Sequence, residues 1–526
     1  MRAPENDHRP ASGPGPRDRR RRRTRRAGSA LALAVLLATA PAAGAATVAA
    51  PPPGVLVTAQ VPPGLEEFYA QQPVWTPCGA AAECALVQVP LDHENPAAGQ
   101  IQLAVTRVPS TDPAARQGSL LVNFGGPGGS GTASIEAWAA GLDPRVRAAY
   151  DIVGFDPRGV GSSTAVECLD DAAMDASRAT TVDPDTPEGL AQAVAAAERF
   201  AAACAANTGP LLGEVDTVSA ARDLDILRAV LGDEELDYLG YSYGTRLGAT
   251  YADLFPERTG RFVLDAAVDP SLDGARLTLD QAAGFERALR VYVESCLPLD
   301  GCPFEGTVDE GTAEIEALLR QTEVQPLPTA DGRPLTVNDA VSGLIKPLYD
   351  SRIWWFLTQS LTLATEHGDG TGLMRLADIA YGRGPDGTYA NSSAANIAIN
   401  CLDIPEDDDP AAMAALDAQL QEVSPTLGDW FSHDEVTCGA WPHEPVGVPA
   451  PIDAAGAGPI LVVGGTGDPA TPYAWSQALA EQLEGGHLLT RVGEGHGSYA
   501  TGNRCIDETV TAHLLEGVLP AEERIC

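Results

Sequence analysis

One pentapeptide restricts the folds open to this chain more than any other feature: Gly240–Gly244, with the sequence GYSYG. An apolar run that begins at Leu236 precedes it, and a helix-like stretch from Thr245 to Phe255 follows. A strand that turns sharply into a helix leaves little room around the turn residue, so glycine is needed two positions to either side. Such a turn presents the Ser242 hydroxyl at a helix N-terminus, where backbone N–H groups favour negative charge. We therefore predict a nucleophile elbow at Ser242.

The first 46 residues are typical of a secretory signal peptide. Ten arginines fall within positions 1–26, an apolar run covers Ala30–Ala38, and Ala43–Ala45 forms a small-x-small cleavage pattern. The apolar run is too short to span a membrane. Residues 47–75 are rich in proline and alanine and are predicted to form a leader or propeptide. We expect a secreted, extracellular protein without a membrane anchor.

The charge balance excludes several classes of partner. Ten of the 34 basic residues and three of the 72 acidic residues lie in positions 1–46, so the remaining chain has a formal net charge of −45. A protein this acidic repels phosphate backbones and anionic membranes, and we expect no nucleic-acid partner. Lys346 is the single lysine, which we attribute to coding bias and not to function. The sequence leaves the oligomeric state open.

Ten cysteines follow the predicted signal peptide, and an even number in an exported chain indicates disulfides. No C-x-x-C or H-E-x-x-H pattern occurs, so we expect no metal site. The connectivity does not follow from sequence. The most economical pairing is sequential: Cys78–Cys84, Cys168–Cys204, Cys296–Cys302, Cys401–Cys438 and Cys505–Cys526.

Strands and helices alternate on both sides of a long interruption. Residues 76–270 read as the first part of an α/β domain with a largely parallel sheet, and the alternation resumes over 451–526. Residues 271–450 show helical patterns with little strand signal. We predict one α/β domain interrupted by a mostly helical cap, with its ligand site at the C-terminal ends of the strands.

A serine nucleophile needs a base and an orienting acid, which on such a scaffold follow it in the order acid, then histidine. Of the eight histidines, only His496 follows the last predicted strand in a glycine-flanked loop, Gly493–Gly497. The loop after the preceding strand, 464–472, contributes Asp468 as the acid. Glu494 is a rival, although it would have to fold back tightly to reach His496.

The oxyanion of acyl transfer needs backbone N–H donors, from the residue after the nucleophile and from the loop after an earlier strand. Gly125–Gly131 is a glycine-rich loop in that position. It does not match a dinucleotide-binding fingerprint, because Pro127 interrupts the spacing, and it lacks the Gly-Lys-Ser/Thr of a P-loop. We therefore expect no cofactor. Arg158, in the next strand-end motif, is interpreted as structural more readily than catalytic.

From about Val74 to the C-terminus, the sequence resembles the secreted tripeptidyl aminopeptidases and proline iminopeptidase-like serine exopeptidases of the α/β-hydrolase superfamily. The resemblance is strongest in four stretches: Gly125–Gly131, Asp156–Ser163, Gly240–Gly244 and Pro459–Cys526. It implies an α/β-hydrolase fold whose cap is inserted between the strand after the nucleophile and the penultimate strand. Carried over residue by residue, it implies these roles: nucleophile Ser242, acid Asp468, base His496, and oxyanion donors Gly126 and Tyr243.

The chain departs from the proline iminopeptidases at two positions. Phe124 and Pro157 stand where those enzymes usually have histidine and glutamine, which favours the tripeptidyl branch. The resemblance implies peptide substrates with a free amino terminus, held by carboxylates of the cap. Asn400–Asp403 resembles a cap segment of the family, so Asp403 is the candidate for binding the amino group.

Three other functions remain open at this stage. The same scaffold also supports a secreted esterase or lipase, or a prolyl aminopeptidase. A catalytically silent binding protein is a third alternative. Such proteins typically lose a member of the triad, whereas this sequence keeps all three candidate residues.

Overall fold

The structure, a computed structural model, describes residues 61–184, 186–431, 435–520 and 523–526. The predicted signal peptide and residues 47–60 of the predicted leader lie outside these residues. The described strands are β1 (Thr76–Pro77), β2 (Glu83–Pro90), β3 (Gln100–Val108), β4 (Gly118–Asn123), β5 (Tyr150–Phe155), β6 (Leu236–Tyr241), β7 (Thr259–Asp265), β8 (Ile460–Gly467), β9 (Gly486–Glu494) and β10 (Arg524–Ile525).

Helices occupy most of the connections between these strands, and none of those described combines the length and hydropathy that a membrane crossing requires. The α-helices are α1 (Glu66–Tyr69), α2 (Gly131–Ala139), α3 (Pro144–Ala149), α4 (Asp171–Arg178), α5 (Pro187–Thr208), α6 (Thr217–Leu231), α7 (Tyr243–Leu254), α8 (Gly274–Cys296), α9 (Val308–Val324), α10 (Val337–Ile345), α11 (Trp354–His367), α12 (Thr371–Tyr381), α13 (Ser392–Asp403), α14 (Pro410–Val423), α15 (Glu435–Gly439), α16 (Tyr473–Gln482) and α17 (Arg504–Glu516).

The strands form one mixed sheet in the order β1-β2-β3-β5-β4-β6-β7-β8-β9-β10. The pairs from β5 through β10 are parallel, whereas β1, β2 and β3 are antiparallel to one another and to β5. Every residue of the central strands β4 and β5 is buried, as expected where helices cover both faces of a parallel sheet. The predicted largely parallel sheet is thus confirmed, and β10 is a short edge strand that the sequence pattern did not predict.

Apolar side chains of the helices pack on the two faces of this sheet. On one face, α6 and α7 contribute Leu224 and Leu247 to a cluster with strand residues such as Leu121. On the other face, α2 and α17 contribute Ile135 and Val510. This layering holds the C-terminal ends of β4, β6, β7, β8 and β9 at one edge, where loops can carry a site.

Between β7 and β8 the described residues form helices α8–α15 with short 3₁₀ turns, which confirms the predicted helical cap. The cap has a hydrophobic core of its own, which includes Phe285, Leu344 and Leu361. Helix α13 differs, because its Ile399 and Leu402 belong to the cluster beneath the sheet. The cap is therefore anchored to the α/β layer through α13.

All ten cysteines form disulfides, and the pairing is sequential as predicted. The five bonds are Cys78–Cys84, Cys168–Cys204, Cys296–Cys302, Cys401–Cys438 and Cys505–Cys526. Two of them have a clear structural effect. Cys401–Cys438 joins α13 to α15 within the cap, and Cys505–Cys526 joins α17 to the end of the chain.

Arg158 is buried in the α/β layer with no exposed surface, in agreement with its structural interpretation. Its guanidinium donates two hydrogen bonds to Asp223, at 2.7 and 2.8 Å. The remaining N–H groups donate to the carbonyl oxygens of Pro90, Leu91 and Glu214. All five donors are thus satisfied, which a buried guanidinium requires.

We predict that Arg158→Met lowers the free energy of unfolding by about 3–5 kcal/mol, because it leaves the Asp223 carboxylate buried without its cation. Urea denaturation followed by tryptophan fluorescence measures the change. Arg145→Met is the matched control, since Arg145 forms an ion pair with Asp143 while 62% of its own side chain is exposed. An equal shift of the two unfolding midpoints would contradict the prediction.

Candidate active site

Ser242 lies at the turn between β6 and α7, as the pentapeptide predicts. Its backbone has φ 55° and ψ −125°, a conformation that non-glycine residues rarely adopt. A Cβ on Gly240 would lie 2.2 Å from the Gly244 carbonyl oxygen, and one on Gly244 would lie 2.8 Å from the Asn123 carbonyl oxygen. The two glycines therefore permit the close approach of backbone that this strained turn needs.

The glycine-rich loop after β4 lies directly against the elbow. A Cβ on Gly125 would lie 2.5 Å from the Tyr241 carbonyl oxygen and 2.9 Å from Ser242 Cβ. Gly125 has φ 85°, and its N–H donates to the Asn123 side chain at 2.9 Å. Both its backbone conformation and its surroundings thus exclude a side chain.

The backbone N–H groups of Gly126 and Tyr243, the candidate oxyanion donors, have no acceptor among the described residues. Gly126 follows the residue that touches the elbow, and Tyr243 is the first residue of α7. The N–H groups at a helix N-terminus favour negative charge. These N–H groups could donate hydrogen bonds to the oxyanion that forms on a substrate carbonyl when the Ser242 hydroxyl attacks it.

Asp468 and His496 are joined by hydrogen bonds between the loops that follow β8 and β9. The distances from His496 Nδ1 to the two Asp468 carboxylate oxygens are 2.8 and 2.9 Å. Asp468 is buried and also accepts the N–H groups of Ala470 and Thr471, each at 3.0 Å. A carboxylate at Nδ1 selects the tautomer with its proton there, which leaves Nε2 free to accept a proton.

Two opposing effects set the pKa of His496. Burial lowers it, whereas the Asp468 and Asp265 carboxylates raise it, and the pKa lies above the ordinary value of 6.5. The side chain nevertheless keeps 15% of its surface exposed. The ring is thus polarised by a buried acid and still open to a substrate.

The other candidate acid and two other histidines of the α/β layer form contacts away from this pair. Glu494 forms an ion pair with Arg287 at 3.0 Å. His93 lies in the protein interior and bonds to Asp223, and His513 is buried against the Phe262 carbonyl oxygen. Among the described acids and histidines, only Asp468 and His496 form the pair that the order of motifs predicted.

Asp265, at the end of β7, is a residue of the site that sequence reasoning missed. Its carbonyl oxygen accepts the Ser242 N–H at 3.0 Å, and its carboxylate accepts the N–H groups of Ser498 and Tyr499 at 3.0 and 2.6 Å. Burial raises the pKa of Asp265 to about 6. One residue therefore joins the elbow to the histidine loop. In the sequence, the only indication of a role for Asp265 was its position at the end of a predicted strand.

Asp403 lies at the end of α13, where it is 3% exposed. Its carboxylate accepts the Thr217 N–H at 2.8 Å and the Thr217 hydroxyl, which also bonds to the Tyr243 phenol. Burial raises its pKa. The predicted contact with a substrate amino group stays a prediction, and the geometry favours a different role, in which Asp403 anchors α13 to the start of α6.

Two parts of the cap flank Ser242. On one side, α13 packs on the glycine-rich loop, and the Asn396 side chain donates to the Pro127 carbonyl oxygen at 3.0 Å. On the other side, the Tyr349 carbonyl oxygen accepts a hydrogen bond from the backbone N–H of His496 at 2.8 Å. The Tyr349 ring also meets the His496 ring edge-on, with 5.3 Å between the ring centroids. The cap thus contacts both the glycine-rich loop and the candidate base.

A strained serine, N–H groups without an acceptor and an acid-oriented imidazole lie on loops at the C-terminal ends of neighbouring strands, and these are the groups that acyl transfer uses. The described residues contain no group of three or more His, Cys, Asp or Glu side chains placed to hold a metal ion.

We predict that Gly125→Ala slows labelling of Ser242 by a fluorophosphonate probe at least ~10²-fold, the order expected when a reacting group moves by about 1 Å. Gly232→Ala is the matched control. Gly232 has the same φ of 85° but no atom within 4 Å of an added Cβ. Both variants bear the backbone strain of about 1–2 kcal/mol, but only Gly125→Ala clashes with the elbow. Equal labelling rates in the two variants would rule out the clash.

Two family models match the chain. The model described as alpha/beta hydrolase fold covers residues 118–312, which include Ser242. The model described as TAP-like protein covers residues 424–526, which include Asp468 and His496. The two matches thus fall on the two parts of the sequence that contribute to the candidate site.

Sequence relatives match most of the length of the chain. It is 38% identical over 478 residues to serine protease Hip1 of Mycobacterium tuberculosis, with 86% of this chain and 91% of the relative covered. Carboxylesterase B of the same organism is 36% identical over 507 residues, with 92% and 96% covered. Tripeptidyl aminopeptidase of Streptomyces coelicolor is 32% identical over 479 residues, with 86% and 85% covered. The protein therefore belongs to the TAP-like family of α/β-hydrolase serine peptidases.

Proposed function

We propose that this protein is a secreted serine exopeptidase that releases short peptides, tripeptides in particular, from the free amino terminus of peptide substrates. The observation that carries the proposal is the Asp468–His496 pair, on a loop held to the Ser242 elbow through Asp265. The likeness to a tripeptidyl aminopeptidase supports the length of the released peptide. Five disulfides support an oxidising, extracellular location.

In the proposed mechanism, the Ser242 hydroxyl attacks the scissile carbonyl while His496 Nε2 takes its proton. The Gly126 and Tyr243 N–H groups stabilise the oxyanion, and Asp468 stabilises the imidazolium. His496 then gives the proton to the leaving amine, which departs and leaves an acyl-enzyme. Water, activated by the same imidazole, attacks the acyl carbonyl and releases the peptide.

The cap supports exopeptidase action. Because α13 and the Tyr349 turn pack on the two loops beside Ser242, the chain covers the site from two sides. A covered site admits the end of a peptide more readily than a continuous chain. A free amino group would add specificity if a carboxylate of the cap pairs with it.

An esterase is the second candidate, because the relative with 36% identity carries the name carboxylesterase B. The same serine, base and oxyanion donors would cleave an ester. The two functions differ in whether an amide bond, whose leaving amine must be protonated by His496, is also cleaved.

We expect the wild type to hydrolyse a tripeptide anilide with a free amino terminus and to cleave its acetylated analogue poorly. Ser242→Ala should reduce kcat on the order of 10⁶-fold, as for other serine enzymes. The release of the chromophore measures both. Cleavage of a short acyl ester without any amide cleavage would favour the esterase, and turnover retained by Ser242→Ala would refute the nucleophile.

The pH profile should report His496. The base acts in its neutral form, so kcat/KM falls as the pH drops through a pKa that lies above 6.5. In Asp468→Asn the effect of burial remains while the raising charge is lost, so this acidic limb moves to lower pH, and kcat falls about 10⁴-fold. Glu494→Gln is the control and should leave the limb in place, because Glu494 pairs with Arg287. If the acidic limb of the kcat/KM profile stayed at the same pH in Asp468→Asn, the pairing of Asp468 with His496 would be contradicted.

A further inference from the structure

The single lysine of this chain lies beside the candidate base. Lys346 begins the 3₁₀ helix Lys346–Tyr349, which follows α10 in the cap. The last residue of that turn is Tyr349, whose carbonyl oxygen accepts a hydrogen bond from the backbone N–H of His496. The turn that carries the lysine is thus hydrogen-bonded to the histidine loop.

The Lys346 ammonium lies near the aromatic ring of Tyr349. Its Nζ lies 5.4 Å from the centroid of the Tyr349 ring, and that ring meets the His496 ring edge-on. Besides the effect of burial, the Lys346 charge also lowers the pKa of His496, although the Asp468 and Asp265 carboxylates keep that pKa above 6.5. The cation is therefore electrostatically coupled to the group that exchanges protons with the substrate.

Lys346 has no counter-ion among the described residues, although the side chain is half-buried. Burial lowers its pKa, and no carboxylate acts to raise it. Neighbouring cations are paired: Arg352 with Asp350, and Arg287 with Glu494. In a chain with 72 acidic and 34 basic residues, a half-buried cation without a counter-ion among the described residues is unexpected.

A partly desolvated ammonium without a partner is unfavourable, and an anion that arrives with a ligand offsets that cost. The position of Lys346 indicates which part of the ligand carries this anion. His496 protonates the leaving amine, so groups packed against His496 lie on the leaving side of the scissile bond. The long, flexible stem of a lysine allows its ammonium to reach such a group.

We propose that Lys346 binds a carboxylate on the leaving side of the scissile bond, so that the enzyme prefers peptides whose first leaving residue carries a carboxylate. The inference rests on the proposed peptidase function and specifies its substrates. Two sources share this chemistry: the free α-carboxylate of a single leaving residue, and an acidic side chain on that residue. In both cases the protein's negative charge makes a local cation necessary for anion binding.

The test compares substrates that differ only in the carboxylate. One pair is a tetrapeptide with a free C-terminal carboxylate and its C-terminal amide; the other is a pair of amidated peptides with Asp or Asn as the first leaving residue. Wild-type kcat/KM, measured by mass spectrometry of the products at a pH above the acidic limb, should be at least ~10-fold higher for the carboxylate member of one pair. That factor corresponds to about 1.4 kcal/mol.

Lys346→Met should bring this ratio close to one, and Lys346→Arg should retain part of it because the charge remains. Arg352→Met is the matched control, since it removes a nearby cation that is already paired, and should keep the wild-type ratio. The substrate pair whose carboxylate member is preferred identifies the source of the carboxylate. Because both members of a pair are cleaved by the same variant, the ratio of their kcat/KM values cancels any general effect of Lys346 on the His496 pKa.

A wild-type ratio near one for both pairs, or a ratio unchanged in Lys346→Met, would overturn the role of Lys346 while leaving the peptidase function intact. Hydrolysis of an acyl ester without cleavage of any of the four peptides would overturn the proposed function, and this inference with it. The two failures are therefore distinguishable in one set of assays.

Discussion

Asp265 is the residue on which the geometry of the site depends. It ends β7, which adjoins the elbow strand β6 and is separated from the histidine strand β9 only by β8. Its carbonyl oxygen holds the strained Ser242 turn, and its buried carboxylate holds Ser498 and Tyr499, directly after the histidine loop. A short, buried hydrogen-bonded link of this kind fixes two loops more firmly than contacts at the surface would.

The cap acts on the loops that this link positions. Helix α13 packs on the glycine-rich loop and is itself anchored by Asp403, whereas the turn at Tyr349 packs on His496. The α/β layer thus carries the groups for acyl transfer, and the cap contributes the charges and surfaces that can distinguish substrates. Two charged residues of the cap differ in this respect: Lys346 has no counter-ion among the described residues, whereas the buried Asp403 carboxylate accepts two hydrogen bonds from Thr217.

Much of the site could be predicted because its signals are local. The glycines around Ser242 are needed by the turn itself, and the placement of Asp468 and His496 after late strands follows from the chain order of such a scaffold. Asp403 shows the limit of this reasoning. A resemblance placed it in the cap, but only packing decides whether a carboxylate faces a cleft or accepts the Thr217 N–H in the interior. Lys346 is a second example, because the sequence alone suggests only a coding bias, whereas the fold places its side chain beside the Tyr349 ring.

The sequence by itself determined the order of strands and helices, the elbow at Ser242 and the helical insertion, because each depends on residues close together in the chain. The disulfide pairing became definite only in the folded chain, where Cys168 meets Cys204 across 36 positions. The tertiary structure decided which charges are paired. Asp265 meets Ser498 across 233 positions and Asp403 meets Thr217 across 186, and no local pattern encodes such contacts. Whether a charge is buried, paired or left for a ligand is a property of the folded chain, because burial and partners come from its distant segments.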